Sequence, residues 1–223
     1  MNDESTYGYT GIETRSEPIS TTRLFGQVMF LVAVALGLLS LGAYLGQDLS
    51  QGAALLCSFA GFGMLLVQSF AGERFRTGAF AIGWLYALAV LIGLGLGPAI
   101  GYYVEFDPGT LAQAALGTAL TVVGMGALGL VLSKDLAPWM RPLSIVVLIA
   151  VGISIAALLF GGLGSMSPLL SLVIFAVSAL LIMVDFNYLR KHGTEADTVW
   201  LATGIFVSIV NIFLSLLNLL GDG

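Results

Sequence analysis

Residues 198–221 read TVWLATGIFVSIVNIFLSLLNLLG, 24 consecutive positions without a charged side chain. A helix rising about 1.5 Å per residue crosses a hydrocarbon core about 30 Å thick in about 20 residues, so this run can span a bilayer. The rest of the chain repeats the pattern. Uncharged stretches of 24, 24, 28 and 26 residues lie between Arg23 and Asp48, Asp48 and Glu73, Arg76 and Glu105, and Asp107 and Lys134. A further 43 residues, Pro142 to Val184, are too many for one helix. Gly161-Gly162-Leu163-Gly164-Ser165-Met166-Ser167-Pro168 divides them, because a Gly/Ser cluster ending in proline marks a turn.

Seven spanning helices are therefore expected, at roughly 24–46, 52–71, 78–103, 110–132, 143–161, 168–189 and 198–220, with ends uncertain by ~2–4 residues. Barrel strands would alternate apolar and polar residues, whereas these runs are apolar on every face, so the fold class is an all-α integral membrane protein. Composition agrees: of 223 residues, 58% are hydrophobic and 9% charged, against roughly 45–50% and about 25% in soluble domains. Eight Lys plus Arg cannot build a footprint for nucleic acid, and the lone Cys57 excludes an intrachain disulfide.

The basic residues give an orientation. Arg15 and Arg23 precede helix 1, Arg74 and Arg76 follow helix 2, Lys134 and Arg141 follow helix 4, and Arg190 and Lys191 follow helix 6. All fall on one side of a seven-span arrangement, which the positive-inside rule makes cytoplasmic, leaving the C-terminus outside. The acids Asp48, Glu105, Asp107 and Asp222 fall on the other side. The first run is too long, and its flank too acidic, for a cleavable signal peptide, so the chain is expected to sit in a plasma or inner membrane. Residues 1–21 read as a flexible cytosolic tail and 22–223 as the transmembrane domain.

Of thirteen acids, only Asp185 enters a span. An intramembrane carboxylate is costly and should face protein or water rather than lipid. Ser171, Ser178 and Asp185 are seven residues apart and stay within an arc of about 40° on helix 6. On helix 7, Gly204, Ser208, Asn211, Ser215 and Asn218 lie within about 80°, with apolar residues over the rest. Two polar seams on helices joined by a short loop are expected to face each other. Serine and asparagine alone would serve as interhelical hydrogen-bond glue. An ionisable Asp185 is better explained by a proton- or cation-responsive site, with Ser208 and Asn211 as its expected hydrogen-bond partners.

On helix 3, Gly93, Gly95, Gly97, Pro98 and Gly101 suit close backbone packing, or a loosened turn that bares carbonyls. Lys134 and Lys191 lie in loops, so no retinal Schiff base forms inside the bundle, and His192, also in a loop, cannot serve an intramembrane serine. One intramembrane Asp does not make an aspartyl protease, and no His/Cys cluster or phosphate loop is present. Neither enzymatic activity nor a cofactor is expected.

Gly97-Pro98-Ala99-Ile100 with Tyr102-Tyr103, residues 115–135 (ALGTALTVVGMGALGLVLSKD), Val184-Asp185-Phe186-Asn187 and the closing Val207 to Leu217 (VSIVNIFLSLL) resemble the Bax inhibitor 1/YccA family. The resemblance covers about residues 22–221 and is most specific at the ending, which is similar to the YccA branch. It implies a helix 7 that is central and surrounded by the other six. It also implies a pH-sensitive calcium leak in which an acid on helix 6 and one on helix 7 share a proton, joined by an arginine from the second helix region. Asp185 matches the first acid, Ser208 stands at the second, and Arg74 and Arg76 are the candidate counter-ions. Ca²⁺ or H⁺ is then the permeant ion, with Asp185 the candidate Ca²⁺ contact and no other metal ligand assigned. The YccA branch implies a different activity, modulation of the membrane protease FtsH through an N-terminal tail.

Overall fold

The computed structural model describes residues 21–70, 72–160 and 167–221. The tail assigned to residues 1–21 therefore lies outside the described residues except for Thr21, as do residues 161–166 of the turn and Asp222.

Seven long helices run in order: α1 (Thr21–Leu45), α2 (Gln51–Phe70), α3 (Gly78–Phe106), α4 (Pro108–Val131), α5 (Ala137–Phe160), α6 (Ser167–Lys191) and α7 (Thr198–Gly221). Each is long and apolar enough to cross a membrane. The chain is a multi-pass membrane protein. Large side chains such as Phe30, Leu56, Leu120, Val123 and Ile149 are exposed around the perimeter, an arrangement suited to hydrocarbon and unsuited to water.

Helix ends follow local chemistry. Asp107 closes α3 through its amide on the Tyr103 carbonyl and opens α4 by accepting the Thr110 amide at 3.1 Å. Pro108 follows it in the first turn of α4, where a missing donor costs nothing. The start of α5 corrects the sequence reading. It begins at Ala137 rather than 143, with the Asp135 carboxylate accepting the Ala137 amide at 3.0 Å. Pro142 inside the helix forfeits one hydrogen bond near the helix start without ending it.

Small residues set the packing. α1 and α3 run parallel in contact, and a methyl group on Gly42 would lie 2.6 Å from the Val90 carbonyl oxygen. Methyls on Gly93 or Gly97 would strike the backbone at Leu39 of α1 and at Gly46 just past its end, and one on Gly95 would strike Ser58 of α2. The glycines of α3 are thus packing surfaces, and the helix continues through Pro98 to Phe106. On α4, Gly126 and Gly129 receive Phe186 and Met183 of α6 in the same way.

α7 is the most enclosed helix: in an 18-residue apolar stretch of it 61% of positions are buried, against 17% in the corresponding stretches of α2 and α5. α1, α3, α4 and α6 pack along it, and α2 reaches it through Gln68, whose amide Nε2 donates to the Thr203 hydroxyl at 3.2 Å. A cavity separates α7 from α5.

Candidate functional site

α6 and α7 are antiparallel neighbours, and their polar seams meet at both ends. Toward the end that carries the basic residues, Asp185 lies against Gly204, where an added Cβ would sit 3.3 Å from a carboxylate oxygen. Toward the other end, the Ser171 hydroxyl donates to Oδ1 of Asn218 at 2.8 Å. The same register sets Ser178 level with Asn211. Seven residues on each side separate these levels, about 10 Å of helix rise.

Asp185 is 5% exposed. Among the described residues it makes no hydrogen bond or ion pair. Gly204 leaves room for it: even a methyl group there would require the Asp185 carboxylate to give by a few tenths of an ångström. A buried carboxyl against bare backbone is an unusual arrangement, because a charge removed from water normally finds a partner.

The remaining residues singled out by sequence divide into two groups. Ser178 and Ser208 are buried, and the Ser178 hydroxyl has no hydrogen-bond partner among the described residues. Asn211, Ser215 and Asn218 instead border a cavity of about 680 Å³ whose walls come from α2, α3, α5, α6 and α7. Asn211 is therefore not a hydrogen-bond partner of Asp185, being about two turns away along α7, and no hydrogen bond joins Ser208 to Asp185 among the described residues.

Neither arginine sits on Asp185, contrary to the counter-ion expectation. The Arg74 guanidinium lies over the Phe80 ring at 4.7 Å and that of Arg76 over the Trp200 ring at 5.3 Å. Both are held at the helix ends by cation–π contacts, where the charge keeps its water; entering the apolar seam would forfeit that solvation.

One residue of structural weight was missed as such. Asn187, two positions beyond Asp185 and fully buried, points away from α7 into the α4–α5 connection. Its Nδ2 donates to the carbonyls of Gly129, Leu132 and Lys134 at 3.1–3.2 Å, and its Oδ1 accepts the Leu136 amide at 3.0 Å. Arg190 and Lys191 add bonds to the Leu132 and Ser133 carbonyls, and His192 pairs with Asp135 at 2.8 Å. The Ala137 amide, the His192 ring and the charge of Lys191 hold the Asp135 carboxyl below its usual range. The last turn of α6 thus clasps the loop between α4 and α5. The sequence signal was an amide inside an apolar run, with no indication of its partners.

Fold and site define a class: a seven-helix membrane protein with one acid buried between its last two helices. Residues 22–223 match the family described as inhibitor of apoptosis-promoting Bax1, and the chain belongs to that family. It is 25% identical over 209 residues, 93% of each chain, to an Escherichia coli K12 protein named modulator of FtsH protease YccA. It is also 25% identical over 221 residues to an uncharacterized membrane protein of Vibrio cholerae, covering 96% of this chain and 95% of that one.

Proposed function

We propose that this protein is a non-enzymatic cation leak, carrying Ca²⁺ or H⁺, gated between α6 and α7 with Asp185 as the titrating group. The observation that carries the reading is the buried Asp185 carboxyl resting on Gly204 with no cation beside it among the described residues. Of the seam side chains, only a carboxyl gains and loses charge, so only Asp185 lets pH act on the α6–α7 contact. Proton loss would place an unpaired charge between the helices, and parting them or admitting a cation relieves it. Ser208, at the family's second-acid position, leaves one negative charge fewer for Ca²⁺, which takes several oxygen ligands. The basic end faces the cytoplasm in this reading, and the membrane is the bacterial inner membrane, as the positive-inside rule and the YccA relatives suggest.

The test is ion flux in liposomes across a pH series. Wild type should show pH-dependent Ca²⁺ flux, and Asp185→Asn should abolish it or hold it at one level at every pH. Flux equal to that of empty vesicles throughout would refute the leak.

The relative named as a modulator of FtsH protease favours a second reading, in which this chain binds such a protease and slows its turnover of other membrane substrates. Here residues 1–20 would supply the contact and Asp185 would be dispensable, so deletion of residues 1–20 and Asp185→Asn separate the two readings.

A further inference from the structure

The cavity beside α7 holds a feature that neither reading uses. Asn211 is 8% exposed, borders the cavity near mid-helix, and its amide makes no hydrogen bond among the described residues. An amide left unbonded in hydrocarbon is expensive, and a cavity that presents one, beside a hydroxyl, in a mostly apolar wall is matched to a molecule with a single polar end. Of the other polar side chains of the wall, Ser58 and Ser154 bond carbonyls one turn back in their own helices and Ser171 bonds Asn218, while the Ser215 hydroxyl, one turn beyond Asn211 on α7, makes no hydrogen bond among the described residues. The remaining walls are chiefly aliphatic, including Leu65, Ile92, Leu96, Ile155 and Leu214.

Three properties narrow the occupant. Among the described residues no charged side chain lines the cavity, which disfavours an ionic headgroup. At about 30 Å³ per water-sized group, 680 Å³ holds about twenty non-hydrogen atoms, far fewer than a two-chain phospholipid. The cavity lies on the flank where α2 and α5 scarcely touch: their contact includes the Phe62 ring, whose atoms lie 3.3 Å from a Cβ added at Gly152. A molecule dissolved in the bilayer meets that flank directly.

From these we infer that the cavity between α2, α5 and α7 binds one neutral single-chain lipid, whose hydroxyl or carbonyl group hydrogen-bonds the Asn211 amide. The chain fills the aliphatic walls, and the amide supplies the selectivity for an oxygenated molecule over plain hydrocarbon. The site does not depend on ion passage, and it is read without measuring flux.

The experiment uses the full chain in phosphatidylethanolamine–phosphatidylglycerol vesicles containing a trace of a diazirine-bearing hexadecanol, with cross-linked peptides mapped after irradiation. Labelling should saturate, concentrate on the α5 and α7 segments that border the cavity, and be displaced by unlabelled hexadecanol but not by hexadecane. Asn211→Leu should raise the half-saturating probe concentration about tenfold, the worth of one hydrogen bond. Ala157→Trp, which fills the cavity from α5, should remove the saturable component while leaving the melting temperature near that of wild type. Labelling of wild type that rises linearly with probe, spreads over outward residues such as Leu120, or yields equally to hexadecane would overturn the inference. So would an unchanged half-saturation in Asn211→Leu.

Discussion

Replacing Asn187 and Asn211 in turn with leucine should give opposite results, although both are buried asparagines in membrane-spanning helices. Asn187 has two amide hydrogens shared among the Gly129, Leu132 and Lys134 carbonyls, and one oxygen taking the Leu136 amide. That amounts to three hydrogen bonds' worth of donor and acceptor capacity. At about 1 kcal/mol net for each, Asn187→Leu should destabilise by about 3 kcal/mol. Arg190 still serves the Leu132 carbonyl, but the buried Leu136 amide is left bare. At about 2–4 °C per kcal/mol for a chain of this size, the melting temperature should fall by about 6–12 °C. Asn211 gives up no hydrogen bond within the described residues. Its leucine variant should stay within about 1 kcal/mol of wild type, or gain. A thiol-reactive dye reporting on Cys57, the sole cysteine, reads both melts in detergent. An Asn187→Leu melt within about 2 °C of wild type, or an equal fall for Asn211→Leu, would refute the clasp.

Gly97→Ala places a methyl group on the Gly46 backbone, which cannot yield, and should cost about 1–3 kcal/mol; Gly37→Ala on α1 meets open space and should be neutral or slightly stabilising, both read by the same melts. The depressed Asp135 carboxyl makes a pH prediction. Its contribution to holding the α4–α5 loop is present above the ordinary carboxylate value of about 3.9 and is lost as pH falls through its lower folded value, so hydrogen exchange at residues 132–137 should quicken only in strong acid. Deleting residues 1–20 should leave liposome flux unchanged while removing any capture of an FtsH-type protease; flux lost with the deletion would contradict the assignment of the gate to α6 and α7.

The seven spans were legible because the bilayer imposes a length that charges interrupt: five of the uncharged runs each hold one helix, and the 43-residue run is shared by two. The facing seams were legible for a related reason. A seven-residue repeat of Ser171, Ser178 and Asp185 nearly closes two helical turns, so it marks a face without tertiary information, and Gly204 and Asn218 proved to be on the face opposite. What was not legible depends on contacts distant in sequence. Asn187 is 58 residues from Gly129, whose carbonyl it bonds, and nothing local distinguishes it from an asparagine in a seam. The two arginines were set beside Asp185 by the family resemblance, whereas aromatic faces at Phe80 and Trp200 hold them nearer water. α5 was begun late because Pro142 reads as a boundary; the Asp135 cap at Ala137 shows the helix starting before it. The cavity followed from no pattern, since a space between α2, α5 and α7 is set by how far whole helices stand apart.

The gate is tested most directly by a reversible lock across the α6–α7 seam. Ser171 and Asn218 are already joined by a 2.8 Å hydrogen bond between the two helices, so Ser171→Cys with Asn218→Cys, in a Cys57→Ala background, places two thiols there for oxidation. With the disulfide verified by mass spectrometry, pH-dependent Ca²⁺ flux should stop on oxidation and return on reduction. Flux that runs undiminished through the cross-linked protein would mean that ions do not pass by parting α6 from α7.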